Sequence, residues 1–259
     1  MVRLDPKSTW TSTLAMLGAL FIGIAIGIRH ALDADHLVAV ATFLRPDSDT
    51  KRYAKLGIFW GLGHTFTILA ICSVVALTTL EISPDLEAIL EGIVGIMLIA
   101  LGIHSWRILK SQGVHFHVHS HADGTTHFHA HRHDESAKEY HQHSAVTHKH
   151  EHERSPLIKA LMVGAVHGVA GSAAISVMSL ASASSVIEGL LFVLVFGLGT
   201  IIGMFALSYV LAWPIQKQQT KPSSWVPKFL RGLNAASIAI GAIIIINTGA
   251  HFTAPILWS

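Results

Sequence analysis

Apolar residues run along this chain in long stretches separated by short polar segments. Six of the stretches, about 12–43, 55–80, 86–109, 157–182, 186–213 and 229–250, reach the roughly 20 residues that a bilayer-spanning helix needs. A soluble α/β core would instead show strand-length apolar pieces bounded by turns. The pattern predicts an all-α polytopic membrane protein with six transmembrane helices. The first stretch is too long for a single crossing: at 1.5 Å per residue it reaches about 50 Å, against a hydrocarbon core of about 30 Å, so it must tilt, project beyond the membrane or break.

The place for a break is marked by polarity. Gly27-Ile28-Arg29-His30-Ala31-Leu32-Asp33-Ala34-Asp35-His36 sets four titrating side chains and an arginine between two uncharged runs, Leu14–Ile28 and Leu37–Leu44. Charged groups at that depth cost at least about 2.5–3.5 kcal/mol each on insertion scales, and they persist mainly where they face a cavity, a partner or a substrate path. A break here would also free backbone carbonyls beside the acidic residues.

Charge then orients the helices. Arg45, Lys51, Arg52 and Lys55 follow the first stretch, Lys110, Arg132, Lys138, Lys149 and Arg154 follow the third, and Lys217, Lys221 and Lys228 follow the fifth, whereas the opposite side carries only Arg3 and Lys7. The positive-inside rule puts both termini outside and the long central connection in the cytoplasm, as expected for a prokaryotic inner membrane. The halves also align. Gly27-Ile28-Arg29-His30-Ala31 matches Gly164-Ala165-Val166-His167-Gly168 at an offset of 137, Phe59-Trp60-Gly61-Leu62-Gly63-His64 matches Val195-Phe196-Gly197-Leu198-Gly199-Thr200 at 136, and Glu91-Gly92 matches Arg231-Gly232 at 140. Units of three spans begin on opposite faces, which makes them two inverted repeats of the kind secondary transporters use; the alternative is chance recurrence of small-residue packing patterns. The expected organisation is a first three-helix repeat over 1–109, a His-rich, largely disordered cytoplasmic connection over 110–156, and a second repeat over 157–259.

Composition narrows the function. The chain is 51% hydrophobic and 13% charged, with a mean hydropathy of +0.51. Its net charge of +2 comes from residues at span ends rather than a basic face, so nucleic acid is not an expected partner; lipid is. Cys72 is the sole cysteine, which excludes disulfides and thiolate metal sites. Arg3 and Lys7 before an apolar run imitate a secretory signal, but the run continues into the polar cluster, so a retained helix is expected.

The chemistry sits on histidine and aspartate. On an ideal helix, His30, Asp33 and His36 fall within a 120° arc, and Asp35 points elsewhere. Asp35 then orients a ligating imidazole through its second N–H, pairs with Arg29, or joins the ligands if the helix unwinds. His64 and His167 follow small residues, in Gly-Leu-Gly-His-Thr and Gly-Ala-Val-His-Gly, which allow helices to approach closely and converge on one ion. Imidazole with carboxylate suits Ni2+, Co2+ and Zn2+. The structural alternative for these residues is a buried polar network that fixes helix packing.

A second signal lies in the connection, where thirteen of the 19 histidines fall between His115 and His152. Its core is nearly a doublet: His115, His117, His119 and His121, then His127, His129, His131 and His133. Strict alternation puts the four histidines of each copy on one side of an extended strand, and Asp123-Gly124 between the copies is a hairpin turn signal. Without metal the tract has too little apolar content to fold, so it is expected to be disordered until ions order it.

Together these residues resemble a known family. Arg29 to His36 contains His30, four residues, then Asp35-His36, which resembles the H-x4-D-H signature of the nickel/cobalt permeases, and Gly63-His64-Thr65 resembles their Gly-His-Ser/Thr element. The resemblance implies that His30, Asp35 and His36 are required for metal recognition and that Asp33 and His64 contribute. Eight-span permeases carry an extra preceding helix and a later Asp-Thr-Ala-Thr-Glu element; here Gly164-Ala165-Val166-His167-Gly168-Val169-Ala170-Gly171-Ser172 stands in its place. The chain looks more like the shorter six-span branch, which includes urease-accessory nickel transport proteins. The implied function is transport of Ni2+ or Co2+, with Zn2+ also fitting the donors, without a prosthetic group or an enzymatic step. A cytoplasmic nickel chaperone or metalloenzyme maturation protein is the implied partner. Two other classes are a membrane haem-binding redox protein, with histidines as axial ligands, and an intramembrane hydrolase using Ser172 with His167 or a zinc-bound water. The hydrolase lacks H-E-x-x-H.

Overall fold

The computed structural model describes residues 18, 20–45, 50–78, 82–111, 115–120, 126–131, 156–170, 185–217 and 225–253. Within them lie α1 (Leu20–His30), α2 (Ala34–Ala41), α3 (Thr50–Thr78), α4 (Pro84–Ser111), β1 (His115–Ser120), β2 (Thr126–His131), α5 (Pro156–Ala170), α6 (Val186–Lys217) and α7 (Trp225–Thr253). Four of these, α3, α4, α6 and α7, are long and apolar enough to cross a membrane, and α1 and α5 are shorter apolar helices. The protein is an all-helical integral membrane protein, with one antiparallel strand pair in its central connection. Helix starts follow local chemistry: Ser83 Oγ accepts the Leu86 N–H before Pro84 opens α4, and Ser185 Oγ accepts the Glu188 N–H at the start of α6, the usual N-cap and first-turn preferences.

The first apolar stretch is not one helix. The Leu32 N–H bonds the Arg29 carbonyl and the Asp33 N–H bonds the His30 carbonyl, each at 3.0 Å, tightening the end of α1 into an i+3 turn. Asp33 is extended (φ −61°, ψ 151°) and stands at the N-cap of α2, a position aspartate favours. The carbonyls of Arg29 and His30 are bonded within the turn, and that of Asp33 accepts the Leu37 N–H of α2. The ideal-helix face shared by His30, Asp33 and His36 is also corrected, because the break puts His30 on α1 and His36 on α2. Of the stretch 157–182, the portion beyond Ala170 lies outside the described residues, as do the segments of 12–43 before Leu20 other than Gly18.

Glycines set the helix contacts. A Cβ on Gly23 would meet Phe192 and Val195, one on Gly27 the backbone of Phe196 and Thr200, one on Gly199 the backbone of Ile24, and one on Gly203 Ile28 and Ala31; α1 and α6 therefore run side by side in the same direction. Likewise Gly63 lies against Leu161 and Ala165, and Gly164 against Trp60, so α3 and α5 run in the same direction. In contrast α3 and α6 are antiparallel: Gly57 faces Met204, Gly61 faces Ile201 and Gly197 faces Thr65. The outer pair α4 and α7 is antiparallel too, with Gly95 against Gly241 and Ile245, Gly241 against Gly95 and Ile99, Gly102 against Ile238 and Gly92 against Thr248. Large apolar side chains such as Phe66, Leu77, Val210 and Ile246 stay exposed on the outside, where a bilayer replaces water, while α2 packs inward against α4, α6 and α7.

Candidate metal site

Four helices bring the polar side chains together. His30 closes α1, Asp35 and His36 open α2, His64 sits midway along α3, and His167 lies one turn before the end of α5. His36 and His64 are fully buried and His167 is 3% exposed, whereas the side chains of His30, Asp35 and Asp33 are 22%, 30% and 54% exposed. Two overlapping groups of three ligand atoms result, His30/His36/His64 and Asp35/His36/His167, each with all its atoms within 4.8 Å of one another.

Contacts orient the rings. His30 Nδ1 lies 2.9 Å from Asp33 Oδ2, and with that nitrogen donating to the carboxylate, the lone pair of His30 Nε2 faces inward, 3.2 Å from His64 Nε2. Asp35 Oδ1 accepts the His36 backbone N–H at 2.9 Å and lies 3.3 Å from His36 Nδ1. The other oxygen, Oδ2, accepts from His167 Nε2 at 2.8 Å. Ring centroids of His36 and His167 stand 4.1 Å apart, and those of His30 and His36 4.7 Å. Yet His36 Nε2, His64 Nδ1 and His167 Nδ1 are buried without a hydrogen-bond partner. An unsatisfied buried nitrogen costs about 1–3 kcal/mol, and each of these three rings carries one.

The two acids exchange the positions read from an unbroken helix. Asp33 belongs to neither group and steadies His30 from outside, the outer carboxylate–imidazole arrangement, while Asp35 is turned into the cluster by the break. Arg29 is not among the partners of Asp35. Convergence of α3 and α5 depends on small residues: a Cβ on Gly168 would meet the His64 carbonyl oxygen at 2.6 Å. Two aromatic walls were not foreseen, Phe196 at 5.4 Å from the His30 ring and Trp60 at 6.0 Å from the His167 ring. Their only sequence signal is the flanking Gly-Leu-Gly motif in each half. Beyond Trp60, toward Thr50 and the basic segment, lies a small, mainly apolar cavity bounded by Val40, Phe43, Tyr53, Leu56, Ala160 and Ser208.

Other histidines lie elsewhere. His104 is exposed, and His251 pairs with Asp85 at 3.0 Å at the far end of α4 and α7. His115, His117 and His119 fall on β1 and His127, His129 and His131 on β2, while the Asp123-Gly124 turn, His121, His133 and Ser172 lie outside the described residues.

Comparison with known proteins gives this geometry a context. Residues 13–243 match the family described as the transmembrane region of cytochrome c biogenesis proteins. The urease accessory protein UreH of Bacillus sp. (strain TB-90) is 34% identical over 201 residues, covering 77% of this chain and 78% of that protein. A high-affinity nickel transport protein of Cupriavidus necator is 29% identical over 89 residues, 33% of this chain and 25% of its own length. A protein of the same name from Cryptococcus neoformans var. grubii is 34% identical over 86 residues, 32% of this chain and 17% of its own. No solved structure matches. The chain belongs to the nickel/cobalt permease family, as a relative of the urease accessory protein UreH, and equally to the membrane family described as the cytochrome c biogenesis transmembrane region.

Proposed function

We propose that this protein moves Ni2+ across a prokaryotic cytoplasmic membrane through the His30, Asp35, His36, His64 and His167 cluster, with Asp33 steadying His30. The observation that carries this is the pair of overlapping three-ligand groups, His30/His36/His64 and Asp35/His36/His167, joined through the buried His36. A borderline divalent cation satisfies such a donor set. Co2+ and Zn2+ take the same donors, and the names of the nickel-transporting relatives favour nickel. The protein acts as a carrier and not an enzyme. A cytoplasmic nickel chaperone or metalloenzyme maturation protein is the proposed partner, and the name of the urease accessory relative supports a link to urease maturation.

Six spans in two inverted repeats, 1–109 and 157–259 about a cytoplasmic connection over 110–156, form the proposed scaffold. Support comes from reciprocal glycine contacts. The Gly27–Phe196 approach has its counterpart in Gly164–Trp60, and Gly63–Leu161 in Gly199–Ile24, each exchanged at offsets of 136–137. The helix directions agree: α1 parallels α6, which opposes α3, and α3 parallels α5, so α1 and α5 run oppositely, as inverted repeats demand. Basic residues orient both termini outward and the connection inward. On this orientation the cavity between the Phe43–Trp60 pair, 5.7 Å apart, and Tyr53 is the inner part of the path.

Redox alternatives gain nothing from the site. Cys72 is the sole thiol of this sequence, so no internal dithiol cycles here. Histidines whose rings sit 4.1–6.0 Å apart around one point enclose an ion rather than a macrocycle. The test is metal flux into proteoliposomes of known orientation, with Ni2+, Co2+ and Zn2+ compared. His36→Ala abolishes flux, while deletion of 115–152 changes only its concentration dependence. Undiminished nickel flux in His36→Ala overturns the assignment.

A further inference from the structure

Between the metal cluster and the basic ends of α2 and α3 the protein is closed by apolar side chains. The cluster itself is reachable, since His30 and Asp35 are partly exposed. From His36, α2 carries the chain away from the cluster to Val40 and then Phe43, whose ring meets Trp60 edge to face at a centroid distance of 5.7 Å. Trp60 in turn stands 6.0 Å from the His167 ring, so one indole separates a ligand from the cavity beyond. That cavity is walled by Val40, Leu56 and Ala160 together with Phe43 and Trp60, and the hydroxyl groups of its lining belong to Tyr53 and Ser208. Phe43 is half-buried and the others are buried. Such a lining gives a divalent cation little in exchange for its hydration: the indole N–H only donates, and a narrow apolar passage excludes water and ions by dewetting.

The closure is tied as well as packed. Tyr53 Oη accepts the Arg45 backbone N–H and donates to the Arg45 carbonyl at 2.8 Å, fastening the chain that leaves α2 to the first turn of α3. It is also poised to open. Trp60 Nε1 is buried without a hydrogen-bond partner, a donor that a water-filled passage satisfies. We propose that Phe43 and Trp60 form the inner seal of the ion path, that Tyr53 is the latch that holds it shut through the Arg45 backbone, and that an ion leaves the cluster inward only when this end of α2 parts from α3. The inference rests on the transport reading and names the closure of that path on its inner side.

Thiol accessibility tests it on the full chain in proteoliposomes of known orientation. Cys72→Ser removes the native thiol, and Val40→Cys places a single small one in the cavity wall. A membrane-impermeant cationic methanethiosulfonate is added at one face or the other. With the seal intact, the thiol reacts slowly from both faces. Tyr53→Phe keeps the ring, removes the hydroxyl and speeds the reaction from the inner face at least about tenfold, equivalent to about 1.4 kcal/mol of lost closure. Phe43→Asn gives the same inner-face gain by wetting the passage, and both variants still bind Ni2+, which separates an opened seal from an unfolded chain. Rapid inner-face reaction with Tyr53 and Phe43 in place, no gain in either variant, or a gain from the outer face alone overturns the proposal. Loss of nickel binding in both variants overturns it too, because these residues would then be struts of the ligand helices. The labelling needs no metal. Its failure with nickel flux retained removes the seal alone, whereas undiminished flux in His36→Ala beside the expected labelling removes the transport assignment and leaves the seal.

Discussion

Replacing His36 by leucine separates holding the fold from holding the ion. In the metal-free protein, His36 is fully buried and its Nε2 has no partner, at a cost of about 1–3 kcal/mol. Leucine has a similar volume and removes that cost. The loss is the contact of Nδ1 with Asp35 Oδ1, long at 3.3 Å and worth about 1 kcal/mol or less. Asp35 keeps the backbone N–H of residue 36 at 2.9 Å and His167 Nε2 at 2.8 Å. The metal-free variant is therefore level with the parent or up to about 2 kcal/mol more stable, a rise of up to roughly 4–8 °C for a chain of this size. Nickel reverses the order. At a hundred times Kd it adds about 2.7 kcal/mol to a chain that binds it and nothing to one that does not. Thermal unfolding in detergent, followed by tryptophan fluorescence with and without Ni2+ in chains lacking 115–152, reads both effects. A His36→Leu protein that unfolds well below the parent without metal refutes the reasoning, because His36 would then be a strut of a polar network. Equal stabilisation of both chains by nickel refutes it from the other side.

Asp35→Asn removes the charge shared by His36 and His167 and abolishes nickel flux, whereas Asp33→Asn loosens only the ring of His30 and weakens nickel binding by about 10–100-fold; equal effects in flux and binding assays would contradict the exchange of roles between the two acids. Gly168→Ala places a Cβ 2.6 Å from the His64 carbonyl oxygen, about 0.8 Å short of ordinary contact. Overpacking of about 1–3 kcal/mol is partly offset by about 1 kcal/mol of helix propensity, so the variant folds, but metal–ligand distances tolerate only about 0.2 Å and flux falls at least tenfold by about 1.4 kcal/mol of lost affinity. A Gly168→Ala transporter with parental flux would show that the α3–α5 contact does not position the ligands. Asp85→Asn breaks an exposed pair with His251 and leaves unfolding within about 0.5 kcal/mol and flux unchanged, a control for substitutions in this background.

Hydrophobic run length made α3, α4, α6 and α7 legible within a few residues, because a bilayer imposes one length on every crossing. The polar cluster was legible for the same reason: charge inside an apolar stretch has few explanations. What one helical wheel could not give was the orientation of Asp33 and Asp35. Their roles depend on the turn at Ala31–Asp33, and ideal periodicity carries no information past a break. Trp60 and Phe196 carry no chemical signature in sequence and become walls of the site only through the crossings of α3 with α5 and α1 with α6.

The ligand set is less symmetric than the helices that carry it, and this bears on release. His30 and His167 occupy matching places 137 positions apart, yet Asp35 and His36 align with Ser172 and Ala173, which offer no comparable donors. The group His30/His36/His64 therefore belongs wholly to the first proposed repeat, while Asp35/His36/His167 bridges the two through one imidazole. On the proposed scaffold, movement of one repeat against the other would separate His167 from Asp35 and leave the trihistidine group within the first repeat. An ion held between the groups then loses one imidazole and is left with donors of one half only. Affinity would then drop in a step, the weakening a carrier needs in order to give up on one side an ion taken from water on the other. The buried His36 is the one ligand common to both groups, and the 30% exposed Asp35 belongs to the second; the break in the first span brings both into the cluster.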